Sequence, residues 1–218
     1  MIGAQIVDIA RAVHAAGLVL GSGGNIAARA SDESVWVTPT GWSFADLTTD
    51  ALTEVTLDGR HLRGAYAATS ELPLHLAAFR TRPDVGWAMH LHPPTATLLD
   101  ALDIPIRTIT TDHAYYLRSI ARVPYLHPGG TEVADVAAEA LGEGVNVVLL
   151  RHHGCLVVAE RPELLLSRAL NLEAAATATY RAHLLGDRDT VCPAEFLRHT
   201  LEEEASGHRY GARRASAD

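Results

Sequence analysis

The sequence predicts an α/β protein in which helices layer a mixed or antiparallel sheet. Three observations carry that reading. Runs with the helical period interleave with runs of the two-residue strand period. Several links between strand-like runs are too short for a helical crossover, which makes those neighbours antiparallel. Hydrophobic residues make up 48% and charged residues 20% of the 218 residues, enough apolar surface for one sizeable core.

The elements follow in chain order. Residues 3–16 read as an amphipathic helix ending near Gly17. "LVLGSGGNIAARA" is an apolar run broken by a Gly-rich turn, "SVWVTP" alternates as a strand, and "TPTGWSF" is a turn. "DLTTDALTEVTLDG" combines a short helix with a strand closed by Asp58-Gly59. "TSELPLHLAAFRTRP" reads as a helix capped by Thr69 or Ser70, with Glu71 in its first turn. A strand at 85–92, a helix at 94–101, strands near 104–110 and 120–125, and a helix at 131–141 come next. "VNVVLLRHHGCLVVAE" is two strands meeting at His-His-Gly. Residues 162–185 fit one long helix stopped by Gly186, and a shorter helix lies near 193–205. "SGHRYGARRASAD" has no core pattern and reads as a mobile tail, so the domain covers 1–205 and the tail 206–218.

Composition excludes several functions. The net charge is -8 with no basic stripe, which argues against nucleic acid. No apolar run approaches the roughly 18–20 residues that span a bilayer, which argues against a membrane. The N-terminus lacks the charged-then-apolar order of a signal peptide, and Cys155 and Cys192 form no framework; both point to a cytoplasmic location. All 18 basic residues are arginine. Schiff-base chemistry, PLP chemistry and the lysine of a P-loop are therefore closed to this chain.

Against that background, "WAMHLHPP" is notable. His90 and His92 stand two apart on a strand and share a face, so both imidazoles can hold one cation. "LLRHHG" offers a third histidine, and only one of His152 and His153 can join, because neighbours on a strand point oppositely. Catalytic zinc commonly takes three protein ligands and keeps one position open. Glu71 adds a carboxylate that can ligate the metal or act as a base beside it. Gly24-Asn25, Thr40-Gly41 and Thr69-Ser70 pair small or hydroxyl side chains with accessible backbone N–H groups, as an anion pocket requires. Singly, each is ordinary turn or cap chemistry. The remaining histidines, His14, His61, His75, His183, His199 and His208, read as scattered surface or packing residues.

Four motifs in order, "GGNIAAR", "VTPTGWSFADLT", "TSELPLHLAAFRTRPDVGWAMHLHP" and "LLRHHGCLVV", resemble the class II aldolase/adducin family, most closely its L-fuculose-1-phosphate aldolase branch. "LNLEAAATATY" extends the match. The resemblance implies a three-layer αβα fold around a largely antiparallel sheet, and a homotetramer with sites at subunit interfaces. It implies a divalent metal, usually zinc, with Mn2+ or Co2+ as substitutes, held by His90, His92 and His153. It makes Glu71 a resting-state ligand and the catalytic acid/base. It places a substrate phosphate on Gly24, Asn25, Thr40, Gly41, Thr69 and Ser70. The implied reaction is reversible cleavage of a ketose 1-phosphate to dihydroxyacetone phosphate and an aldehyde through a metal-stabilised enediolate. Epimerase, decarboxylase and dehydratase relatives keep the same metal set; adducin-like interaction domains lack it.

There are departures from the family pattern. Thr69 replaces a frequent serine and keeps the hydroxyl. The aldolase branch uses a tyrosine downstream of the HxH pair to manage the proton at the aldehyde oxygen, and that place falls near Ile109–Thr111, where no tyrosine stands. "TTDHAYYL" supplies Tyr115, Tyr116, His113 and Asp112 instead. Read as an extended segment, it turns one tyrosine to the site and the other away. The epimerase branch has a similar stretch with a catalytic Asp, but usually carries Asp at the position of Glu71.

Overall fold

The computed structural model describes residues 1–142 and 144–206. Eight strands form one sheet: β1 (Asn25–Arg29), β2 (Ser34–Val37), β3 (Thr53–Thr56), β4 (His61–Arg63), β5 (Trp87–Leu91), β6 (Ser119–Val123), β7 (Val145–Leu150) and β8 (Gly154–Ala159). Their order is β4-β3-β2-β1-β5-β8-β7-β6, and only the β6–β7 neighbours are parallel. That pair is the one joined through a helix, α5 (Thr131–Ala140), as a crossover requires.

Strand alternation sorts the core into two layers. On one side Ile26, Ala28, Met89, Leu91, Leu149 and Val157 pack under α1 (Ile2–Ala15), α3 (Pro94–Ala101) and the long α6 (Pro162–Leu184). On the other, Ala27, Val35, Ala88, Val148, Leu156 and Val158 pack under α2 (Leu72–Thr81) and α5. The fold is the three-layer αβα arrangement with a largely antiparallel sheet. Apolar residues at consecutive strand positions give strands buried on both faces.

Three expectations are corrected. Residues 104–110 form no strand. Ile104 and Ile106 spend their alternation packing against the α6-side core, while the Arg107 backbone N–H donates to Thr179 Oγ1 and its guanidinium to Asp187 and the Thr190 carbonyl. "TDHAYYL" is a helix, α4 (Thr111–Leu117), not an extended segment. Thr110 caps it, accepting from His113 N, while His113 Nδ1 accepts from Thr110 N, and this reciprocal box starts a helix the strand reading overlooked. α2 opens at Leu72 with Glu71 as its N-cap, so Glu71 stands just before the first turn, not within it. Beyond the expected elements, β4 closes a hairpin after Asp58-Gly59. The last helix, α7, spans Ala194–Ala205. The expected tail after Ser206 lies outside the described residues.

Candidate active site

β5 lies between β1 and β8, so its C-terminal end is the point where the chemistry-bearing segments meet. His90 and His92 project from that end toward the α2 layer, opposite Met89 and Leu91. His153 enters from the tight turn between β7 and β8. Ligand atoms of His90, His92 and His153 all lie within 4.8 Å of one another, the single such group among the described residues. The ring centroids stand 4.6–5.2 Å apart.

Burial holds the three rings neutral. It pushes His90 well below the ordinary range, with His153 and His92 adding to the effect, and it lowers His92 and brings His153 down to about 4. His90 Nδ1–H donates to the Cys155 carbonyl (3.0 Å), which fixes its tautomer and leaves Nε2 as a lone pair. Nε2 of His92 stands 2.8 Å from it. His153 Nδ1 is sealed from solvent without a hydrogen-bond partner among the described residues. Three neutral imidazoles converging, with one nitrogen left unpartnered, suit a cation better than a packed core. The residues therefore fit a divalent ion.

The turn that delivers His153 is specific. His152 adopts φ +57° and points to solvent, and His153 N–H closes the turn on the Leu150 carbonyl (2.9 Å). Gly154 then passes so close to β5 that a Cβ would sit 2.3 Å from the Leu91 carbonyl oxygen and 2.5 Å from His92 Cδ2. Gly24 is similarly pressed, with a Cβ position 2.7 Å from Val19 Cγ1 and 3.3 Å from the His90 carbonyl oxygen.

Glu71 stands outside the three-histidine group. It is buried, burial raises its pKa, and the Gly129 N–H opposes that shift by bonding the carboxylate. Oε2 has no hydrogen-bond partner among the described residues. A carboxyl whose charged form is disfavoured by burial, with one oxygen uncommitted, can give and take a proton.

The three segments expected to bind an anion are linked through the backbone. Asn25 stands opposite His90 in the β1–β5 register. Thr38 bonds Ile26 through both its backbone N–H and its side chain, and its carbonyl accepts from Thr69 N–H (3.1 Å). Thr40 N–H donates to the Ala67 carbonyl, and Thr69 Oγ1 accepts from Glu71 N–H. Gly24-Asn25, Thr40-Gly41 and Thr69-Ser70 thus border the histidine end of the sheet, with Thr40, Gly41 and Ser70 exposed.

Tyr115 and Tyr116 are elsewhere. On α4 their rings meet edge-on, 5.0 Å apart, and both line a cavity of about 210 Å³ with Arg118, Glu160, Arg168 and Glu204. Glu160 follows the end of β8 while His153 precedes its start, so the tyrosines and histidines of one chain are separated by a six-residue strand, ~20 Å. Tyr115 donates to Glu204 Oε1 (2.6 Å), and burial with that carboxylate pushes its hydroxyl up to about 12. Asp112 is exposed in the first turn of α4, and His113 is committed to the cap.

Two residues escaped the sequence reading. His75, taken for a scattered packing histidine, is fully buried beside the site with Nε2 2.5 Å from Asn25 Oδ1. Its spacing, one helical turn after Glu71, was the available signal. Glu173 on α6 accepts from the backbone N–H groups of Thr95 and Ala96, which open α3 directly after His92-Pro93-Pro94. Its signal was a lone carboxylate inside an apolar, small-residue helix run.

Comparison with known proteins agrees with the geometry. The family model described as Class II Aldolase and Adducin N-terminal domain matches residues 4–180. The chain is 30% identical to L-fuculose phosphate aldolase of Methanocaldococcus jannaschii over 156 residues, 72% of this chain and 83% of that protein. It is also 30% identical to 3-oxo-tetronate 4-phosphate decarboxylase of Escherichia coli (strain K12) over 189 residues, 84% of this chain and 87% of the relative. A solved L-fuculose 1-phosphate aldolase superposes with a TM-score of 0.84 at 24% identity, covering 93% and 95% of the two chains, a likeness of fold. With the four motifs inside the matched segment and the sheet order that brings them together, the chain belongs to the class II aldolase and adducin N-terminal domain family.

Proposed function

We propose that this protein is a divalent-metal-dependent lyase, zinc being the natural ion for three imidazoles, that cleaves a C–C bond beside the carbonyl of a small phosphorylated sugar. The leading form is an aldolase that releases dihydroxyacetone phosphate and an aldehyde from a ketose 1-phosphate. The observation that carries it is the convergence of neutral His90, His92 and His153; the buried carboxyl of Glu71, with Oε2 unpartnered among the described residues, supports it.

In this reading His90, His92 and His153 hold the ion. When bound, a divalent ion supplies a Lewis acid that stabilises the charge left next to a carbonyl as the C–C bond breaks. Glu71 moves the proton at the reacting carbon, its raised pKa letting one group serve as base and then acid. Gly24, Asn25, Thr40, Gly41, Thr69 and Ser70 hold the phosphate through backbone N–H groups, hydroxyls and an amide, since the chain has no lysine. Aldol cleavage also needs a group at the aldehyde oxygen; Tyr115 and Tyr116 are the candidates, reaching a site only across a subunit boundary.

A second reading has its own support. Decarboxylation of a 3-oxo acid phosphate expels CO2 and involves no proton transfer at an aldehyde oxygen, in keeping with the distance of the tyrosines from the histidines, and decarboxylases are among the relatives. The test is a substrate panel. Triose phosphate release from ketose 1-phosphates supports the aldolase; CO2 release from a 3-oxo acid phosphate supports the decarboxylase. A folded, metal-loaded protein inert toward both would refute the lyase.

A further inference from the structure

We infer that His75 is a positioning residue: it turns the Asn25 amide so that its NH2 faces the phosphate pocket, which gives that pocket its preference for an anion. The inference rests on the phosphate reading above and assigns the orientation within it.

His75 sits on α2 with no exposed surface, and Nε2 lies 2.5 Å from Asn25 Oδ1. Burial keeps the ring neutral, so it carries one N–H. Two arrangements are possible. In the first, Nε2–H donates to Asn25 Oδ1 and the sealed Nδ1 is an unmet acceptor. In the second, the amide is flipped, Nδ2 donates to a bare Nε2, and the proton sits on Nδ1 with nothing to receive it. A buried N–H without an acceptor is the rarer and costlier defect. The first arrangement therefore prevails.

The consequence reaches the pocket. With Oδ1 taken by His75, the Asn25 NH2 has no bond to any group among the described residues, and Nδ2 is not one of the sealed polar atoms. Asn25 follows Gly24 at the start of β1, opposite His90, where a phosphate beside the metal site would lie. Two amide hydrogens there attract phosphate oxygens; the flipped amide would present an oxygen and repel them.

The test uses the metal-loaded protein and inorganic phosphate as the probe. Long-range 1H–15N correlation of the imidazoles reads the tautomer of His75, and calorimetry reads phosphate affinity for wild type, His75→Gln, His75→Leu and Asn25→Ala. The expected results are a protonated Nε2, near-wild-type affinity in His75→Gln, whose amide can donate from the same place, and about tenfold weaker binding in His75→Leu at unchanged metal content. Asn25→Ala should weaken binding alike, and adding His75→Leu to it should change nothing further. A proton on Nδ1, or equal phosphate binding by wild type and His75→Leu, overturns the role of His75 and leaves the pocket standing. A wild type that binds no phosphate overturns the pocket itself and the orientation with it.

Discussion

His152 and His153 show how one residue's backbone decides a site. In an extended strand the two side chains would be equivalent apart from facing; here His152 takes φ +57° and His153 is turned to His90 and His92. His153→Ala should therefore abolish bound metal, measured by metal analysis of purified protein, while His152→Ala should leave it intact. The reverse result would mean the turn is wrongly read. Gly154→Ala should cost about 3 kcal/mol or more in urea unfolding and release metal, because its Cβ has no room against the Leu91 carbonyl and the His92 ring. The pH dependence has a definite sign. His153 and His75 are held by burial at about 4 and about 3, below the value near 6.5 of an unfolded chain. Below about pH 6.5 the unfolded state binds more protons, so the metal-free protein should lose stability steadily as pH falls toward 4. Urea midpoints measured in chelator should fall over that window; midpoints that rise would contradict neutral buried rings. The HxH pair and the His-Gly step were legible because strand period and residue chemistry coincide. His75 and Asn25 were not, since their bond joins residues 50 apart and no local pattern announces it.

At the scale of elements, helix and strand periods marked α1, α2, α3, α5, α6 and α7 because each has an apolar face or a clear stop. They failed between Ile104 and Leu117. Ile104 and Ile106 alternate like a strand but are packed as irregular chain under α6, and the β-prone Thr110, Thr111, Tyr115 and Tyr116 are overruled by a capping box and by burial of Leu117. Tertiary packing decided both segments, so local propensity could not. α3 offers a sharper test. It begins with Pro93 as N-cap and has no side-chain cap of its own; Glu173, 78 residues away, takes the Thr95 and Ala96 N–H groups instead. A carboxylate at a helix N-terminus satisfies orphan donors and opposes the dipole. Glu173→Ala should cost about 1–2 kcal/mol by urea unfolding, with Glu173→Gln intermediate. It should also weaken metal retention, because α3 follows His92 directly. An unchanged metal affinity would confine Glu173 to stability.

For the whole molecule, the separation of the tyrosines from the histidines bears on assembly. α6 exposes Leu170, Tyr180 and Leu184, followed by Leu185, and Leu170 and Leu185 line a largely apolar groove of about 720 Å³ together with Leu18 and Ile109. Such a surface suits a subunit contact. We expect light scattering to give four times the chain mass of 23.3 kDa, with the histidines of one chain completed by the α4 tyrosines of another. Tyr116 is the better candidate for proton transfer at the aldehyde oxygen, because the Tyr115 hydroxyl is already directed to Glu204. Tyr116→Phe should then lower turnover by about 10²–10⁴-fold with phosphate affinity retained. Mixing separates the shared site from a self-contained one. His153→Ala lacks its metal and Tyr116→Phe lacks its acid, so each alone is nearly inactive. If both residues serve within one chain, co-assembled tetramers stay inactive, since every chain carries one defect. If they serve across a boundary, a histidine-intact chain can meet a tyrosine-intact neighbour, and random equal mixing should restore roughly one site in four. Mixed tetramers confirmed by mass but showing no recovery would refute the shared site.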